Sequence, residues 1–313
     1  MPVSSENIEQ EATDLRLNRD IEGFLITSEM LEIEFDFALS EFNRYMQEVL
    51  MLRAGFTFDD LQIKERRKEC LPKLIVPSES SYRFVDRWDI QNLEETPPGS
   101  IALLKLNGVM RTQSGLSSPG ADRMASDLRN AFHNENVKGV IIETLSGGGE
   151  SIAGTVIKSA ISERNKPVVG FAHLAASAAY RALAGTDEII GSNDRAEFGS
   201  IGTMLTLDTK ILNKYRERFT DIYGADVPKK NQEFRAALAG DFSGLQERVN
   251  VLTRQFHEEI KSDRPLRGER DFIKETLSGA VFDAKESKRR GLVDAIGNLQ
   301  FAVKRVNSLL KNY

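Results

Sequence analysis

The amino-acid sequence predicts an α/β protein: repeated βαβ units that build a largely parallel sheet, preceded by a mostly helical N-terminal extension. Two observations carry this. From Ile101 onward, short apolar runs alternate with amphipathic segments long enough to be helices. Before Glu94, apolar residues recur at helical spacing, and the segment Glu94-Glu95-Thr96-Pro97-Pro98-Gly99 between the two regimes has linker chemistry. The expected division is a helical arm over 1–95 and a main domain over 96–313.

In the arm, Leu31, Phe35, Leu39, Phe42, Met46, Val49 and Leu50 fall on one face of a helix running from Ser28 to about Ala54. Asp59 to Glu69 reads as a charged helix stopped by Pro72, and Leu74-Ile75-Val76 as a short strand. Such an arm packs on its own body or docks on a neighbouring subunit or partner. In the main domain, Ile101–Leu106 is a strand, Asp122–His133 a helix and Gly139–Leu145 a strand. A glycine loop, Ser146-Gly147-Gly148-Gly149-Glu150, leads into a helix over Ser151–Glu163. Pro167–Phe171 is a buried strand that runs into the small residues before Ser177 and a further helix, and Glu188–Gly191 is another strand. After the tight turn Phe198–Gly202 come a helix (Thr209–Phe219), a short strand (Thr220–Tyr223), a loop (Asp226–Asn231) and a long helix (Ser243 to about Lys261). The chain ends in an αβα tail around Val281-Phe282, Ala284–Arg290 and Leu292-Val293-Asp294, with a last helix from Leu299.

Composition excludes several function classes. The net charge of −5 leaves no electrostatic footprint for nucleic acid or an anionic membrane. A single cysteine, Cys70, rules out an internal disulfide framework and fits a reducing, cytoplasmic setting. His133, His173 and His257 are far apart with no HExxH pattern, so no metal site is expected. The polar, acidic residues Met1–Asn18 do not read as a secretory signal, and no run of about 18 apolar residues offers a membrane span.

The chemistry concentrates at strand ends. In open α/β sheets, ligands bind beyond the carboxyl ends of the strands, where the glycine loop and Ser177 both fall. A serine at a strand-to-helix junction sits near the free N–H groups that open the helix, as a nucleophile beside an oxyanion site requires. The plain alternative is a tightly packed helix start, Ala175-Ala176-Ser177-Ala178-Ala179. The loop lacks the Lys-Ser/Thr of a phosphate loop and the GxGxxG of a dinucleotide fold, so no cofactor is expected. A glycine run of this kind is a tight turn, a phosphate nest or an oxyanion hole; paired with Ser177, its backbone amides at Gly148 or Gly149 could cradle an oxyanion together with that of Ala178. For a base, His173, four residues before Ser177 near the end of the strand, is one candidate, although core and interface histidines are common. A lysine is the other option. At an ordinary pKa of about 10.4 it must be lowered by roughly 3 units, by desolvation or neighbouring positive charge, to act near pH 7. Lys229-Lys230 supplies such a like-charged pair.

Taken in order, Gly139–Glu150, Ala175-Ala176-Ser177-Ala178-Ala179-Tyr180, Phe198–Gly202 and Val281–Gly297 resemble the motifs of signal-peptide-peptidase-A-type serine peptidases of the Clp/crotonase superfamily, most closely the phage head-maturation branch. The resemblance spans Ile101 to Val303. It implies a Clp/crotonase-like fold and a Ser/Lys dyad, with Ser177 as nucleophile, Lys230 as base, Lys229 as the fallback base and Ser200 as a hydroxyl that orients the lysine. It also implies peptide or protein substrates and a homo-oligomer whose sites can form across subunits. The sequence departs from the pattern at Gly147, where the family has proline, in the lysine loop Gly224–Asn231, and in lacking the family's membrane anchor. The first loosens the oxyanion loop, the second leaves the base open between Lys230 and Lys229, and the third favours a soluble, cytoplasmic, prophage-type processing enzyme. Two other functions fit the same fold: a catalytically silent assembly scaffold, and crotonase-like chemistry on an acyl-CoA.

Overall fold

A computed structural model describes residues 31–33, 71–78, 82–86, 95–114, 119–207 and 209–313. The predicted helices of the arm lie outside these residues, with one correction: Leu31–Ile33, placed within a helix by spacing, form strand β1. Cross-strand pairing there overrides the helical periodicity. The described residues divide into two compact units, one within 31–203 and 253–313, the other within 204–252.

In the larger unit the strands are β2 (Lys73–Pro77), β3 (Tyr82–Asp86), β4 (Ser100–Asn107), β5 (Val137–Ser146), β6 (Gly148–Glu150), β7 (Val168–Ala176), β8 (Glu188–Gly191), β9 (Glu197–Gly199), β10 (Val281–Asp283) and β11 (Ala295–Ile296). Helices α1 (Ala121–His133), α2 (Ser151–Ser162) and α3 (Ala178–Ala184) connect the central strands. The main sheet runs β10-β9-β7-β5-β4-β2-β3, with β8 on β7 and β11 on β8. Strands β4, β5, β7, β8 and β9 pair in parallel, as the βαβ pattern requires, while β2, β3 and β10 add antiparallel edges. The sheet continues across the expected linker, since β2, which precedes Glu94, pairs with β4.

The central strands are apolar on both faces because both are covered. Ala102, Leu104, Val140, Ile142, Val168 and Ala172 face a core shared with α1, α2 and α3. The intervening Ile101, Leu103, Ile141, Val169 and Phe171 face a second core closed by Ala302, Val303 and Val306 of the C-terminal helix Leu299–Leu309. Strand β7 divides its outer side: Val169–Ala172 pair with β8 and Leu174–Ala176 with β9. This places the ends of β5, β7 and β9 together.

The smaller unit holds helices α4 (Thr209–Arg218) and α5 (Gln232–Leu238) and the first half of α6 (Ser243–Asp263), whose remainder belongs to the larger unit. Tyr215 packs on Phe219 and edge-on to Phe234, at 5.0 and 5.4 Å between ring centres. The segment Thr220–Tyr223, expected as a strand, is irregular, and Ile222 is 94% exposed. The larger unit then adds α7 (Arg270–Thr276), α8 (Ala284–Arg290) and α9 (Leu299–Leu309).

Candidate active site

The strand β7 continues through Ala172–Ala176 and breaks at Ser177, with α3 starting at Ala178. Ser177 has φ 55° and ψ −121°, a left-sided conformation that a residue with a Cβ rarely adopts. Its N–H donates to the Gly199 carbonyl at 2.8 Å and its carbonyl accepts from the Arg181 N–H at 2.9 Å, so both sides of the turn are tied down. The side chain is 1% exposed. The Ser177 Oγ has no hydrogen-bond partner among the described residues. A strained backbone costs on the order of 1–3 kcal/mol and an unsatisfied buried hydroxyl about the same again. Neither cost is expected of a serine that merely packs a helix start.

The glycine loop is an ordered strand rather than an open loop. Met110 N–H donates to the Gly148 carbonyl at 2.8 Å, and Glu150 N–H donates to the Met110 carbonyl at 2.9 Å. A Cβ on Gly149 would sit 2.1 Å from the Met110 oxygen, so only glycine permits this approach. The Gly148 N–H donates to Ser146 Oγ at 3.2 Å, and Ser146 Oγ donates to the Gly108 carbonyl at 2.7 Å. Strand alternation turns the Gly149 N–H away from Met110. The Ala178 N–H opens α3 and has no intrahelical acceptor. Helix α2 comes close beneath this turn at Gly154, where a Cβ would lie 2.7 Å from the Ala178 carbonyl oxygen.

Ser200 follows β9, whose Gly199 is the register partner of Ala176, so it stands at the neighbouring strand end. It too has positive φ, 51°, and its N–H donates to the Ala280 carbonyl at 2.8 Å. The structure thus brings Ser177, Ala178, Gly148, Gly149 and Ser200 into one unit. Lys229 and Lys230 belong to the other, where both are exposed in the turn before α5. That turn is ordered by Lys230 N–H donating to Val227 O at 3.1 Å, Gln232 N–H to Lys229 O at 3.2 Å, and a left-handed Asn231.

His173 is directed elsewhere. The β5–β7 register passes from Thr144–Ala172 to Leu145–Leu174 and skips it, and its Nε2 lies 3.6 Å from Glu143 Oε1. Behind Ser177, Tyr180 is fully buried and donates to the Leu292 carbonyl at 2.9 Å, and burial pushes its phenol far above the ordinary range. Asp294 accepts from the Ile189 N–H at 2.7 Å and from Arg264 at 2.6 Å. The closing Gly-Leu-Val-Asp segment therefore holds α3 and the sheet together. Sequence reading missed Arg181, 3% exposed within α3. The available signal was a charged residue inside an otherwise small and apolar helix start.

The geometry defines a class of site: a strained, buried serine at a strand-to-helix turn, flanked by a glycine strand. Proteins similar to this chain carry protease names. No family model matches it. A Methanocaldococcus jannaschii protein named as a protease is 27% identical over 181 residues, 56% of this chain and 57% of that one. The Arabidopsis thaliana "Serine protease SPPA, chloroplastic" is 26% identical over 225 residues, 65% of this chain and 31% of that one. "Protease 4" of Haemophilus influenzae is 26% identical over 220 residues, 68% of this chain and 35% of that one. The chain thus spans between about a third and just over half of the length of these relatives. Among solved structures, an enoyl-CoA hydratase/isomerase family member aligns over 68% of this chain and 72% of its own, at 14% identity and a TM-score of 0.39. Among the described residues no helix is long and apolar enough to cross a membrane, and no cluster of metal-ligating side chains occurs.

Proposed function

We propose that this chain is a serine endopeptidase with a Ser/Lys dyad. The observation that carries the reading is Ser177 itself: a positive-φ residue whose buried hydroxyl has no partner among the described residues, at the end of a central strand. Similarity to SppA-type proteases supports peptides as the substrates.

In this mechanism the neutral amine of Lys230 accepts the Ser177 Oγ proton as Oγ attacks the scissile carbonyl. The Ala178 N–H and a glycine-strand N–H, from Gly149 or Gly148, hold the developing oxyanion. The amine product leaves with the proton returned by the lysine, and water, deprotonated by the same lysine, releases the acyl group from Ser177. Ser200 orients the lysine amine, and Lys229 is the fallback base. Because Lys229 and Lys230 are exposed in the single chain, the enclosure that a neutral lysine needs comes from a bound substrate or an adjoining subunit of a homo-oligomer.

Hydrolysis of a fluorogenic peptide library or of casein tests this. Ser177→Ala and Lys230→Ala are expected to fall to background, with Lys229→Ala reduced less. Undiminished cleavage by Ser177→Ala removes the peptidase reading. A folded, oligomeric chain that cleaves nothing leaves the scaffold reading in its place.

A further inference from the structure

Strand β6 has two edges, and the chain fills both. On one side lies Met110, bonded to Gly148 and Glu150. On the other lies β1, antiparallel, with Leu31 opposite Glu150, Glu32 opposite Gly149 and Ile33 opposite Gly148. Since the Gly148 C=O and the Glu150 N–H point to Met110, Gly149 directs its N–H and C=O to the other side, toward Glu32. β1 also runs close to α3, the helix that Ser177 opens. The backbone amide expected to serve the site is therefore engaged by the chain's own main chain.

We infer that the outer edge of β6 is a receptor for an extended peptide strand and that Leu31–Ile33 is its intramolecular occupant, which an incoming peptide must displace. Main-chain pairing of this kind tolerates many sequences, because the bonds come from the backbone. β1 is three residues long and, among the described residues, pairs with β6 alone, so its hold is small and exchangeable. As regulation of catalysis the inference rests on the peptidase reading, whereas as a statement about binding it does not.

The test uses the full chain carrying Ser177→Ala, so that no hydrolysis intervenes, and a fluorescein-labelled synthetic peptide copying residues 28–36, read by anisotropy. Glu32→Pro removes the N–H that faces Gly149. The peptide is expected to bind the Glu32→Pro chain at least about tenfold more tightly than the chain with Glu32. A peptide N-methylated at the position copying Glu32 should lose that gain. Equal affinity for both chains, or undiminished binding of the N-methylated peptide, overturns the inference. Should Glu32→Pro fail to fold, amide exchange at Gly149 in the unsubstituted chain decides. Slow exchange is expected, and exchange at the rate of a free amide overturns the inference. With Ser177 restored, tight peptide binding without turnover supports the strand receptor while sinking the peptidase reading, so the two fail separately.

Discussion

Arg181, in the first turn of α3, reaches the first residue of α2, its Nη1 donating to Ser151 Oγ at 2.9 Å. Ser151 directly follows β6, so this bond spans from the serine turn to the glycine strand, the two parts from which an oxyanion site would be assembled. The guanidinium lies over the Phe256 ring at 4.1 Å, with Nε 3.5 Å from Glu259. Glu259 is shared with Lys158 at 3.1 Å, and Lys158 also meets Asp263 at 2.6 Å. A buried cation on α3 is thus held by two further elements, α2 and α6, behind the site.

Removing that cation is expected to act on rate as well as stability. Arg181→Met leaves Glu259 paired with Lys158 and should lower the unfolding free energy by about 2 kcal/mol. It should also lower kcat about tenfold with KM little changed, through misplacement of the oxyanion donors. Ser151→Ala should reproduce most of the kcat effect, and the double variant should fall little further, as coupled positions do. Independent, additive losses in kcat show that the bond does not set the site.

Ser177→Ala should stabilise the fold while removing activity. It deletes a buried hydroxyl with no partner among the described residues, a change worth about 1 kcal/mol in favour of the folded state. Urea unfolding of the two chains measures this. A loss of stability shows that the hydroxyl is structural.

Gly154→Ala puts a methyl 2.7 Å from the Ala178 carbonyl oxygen, and backbone must move. Overpacking of this kind costs about 1–3 kcal/mol. The shift falls on the residue after the serine, so peptide turnover should drop while affinity for a bound peptide is kept. Unchanged turnover places the strain elsewhere.

The half-buried His257 has a pKa lowered from its ordinary 6.5, chiefly by burial, with its bond to Ile201 O opposing the shift. The unfolded chain therefore binds this proton at higher pH than the folded one. Stability is full above about 6.5 and falls as pH drops below that value toward the folded pKa. Melting curves from pH 8 to 5 should show this decline, and His257→Gln should make it shallower. An identical slope in the variant assigns the decline to other groups.

Much of the core was legible because parallel strands covered on both faces read as continuous apolar runs, as at Ile101–Leu106 and Gly139–Leu145. The extension of β7 over Ala172–Ala176 was not, since small residues suit a helix locally and pairing with β5 on one side and with Gly191 and Glu197–Gly199 on the other makes them extended. The same cause hid β6, where glycines signal a loop until Met110 and β1 pair with them. Thr220–Tyr223 differs the other way: β-favouring residues with no strand to pair with among the described residues stay irregular. At the site, the position of Ser177 was readable from strand-then-small-residue chemistry. Its backbone strain and buried Oγ were not, because they arise from the Gly199 and Arg181 bonds and from α2 packing at Gly154.

The most direct measurement is covalent labelling with a fluorophosphonate, followed by intact mass and peptide mapping of the folded chain. The account predicts one phosphonyl adduct per chain, on Ser177 Oγ, absent from Ser177→Ala and slowed more by Lys230→Ala than by Lys229→Ala. A folded chain left unmodified at Ser177, or an adduct that survives Ser177→Ala, contradicts it.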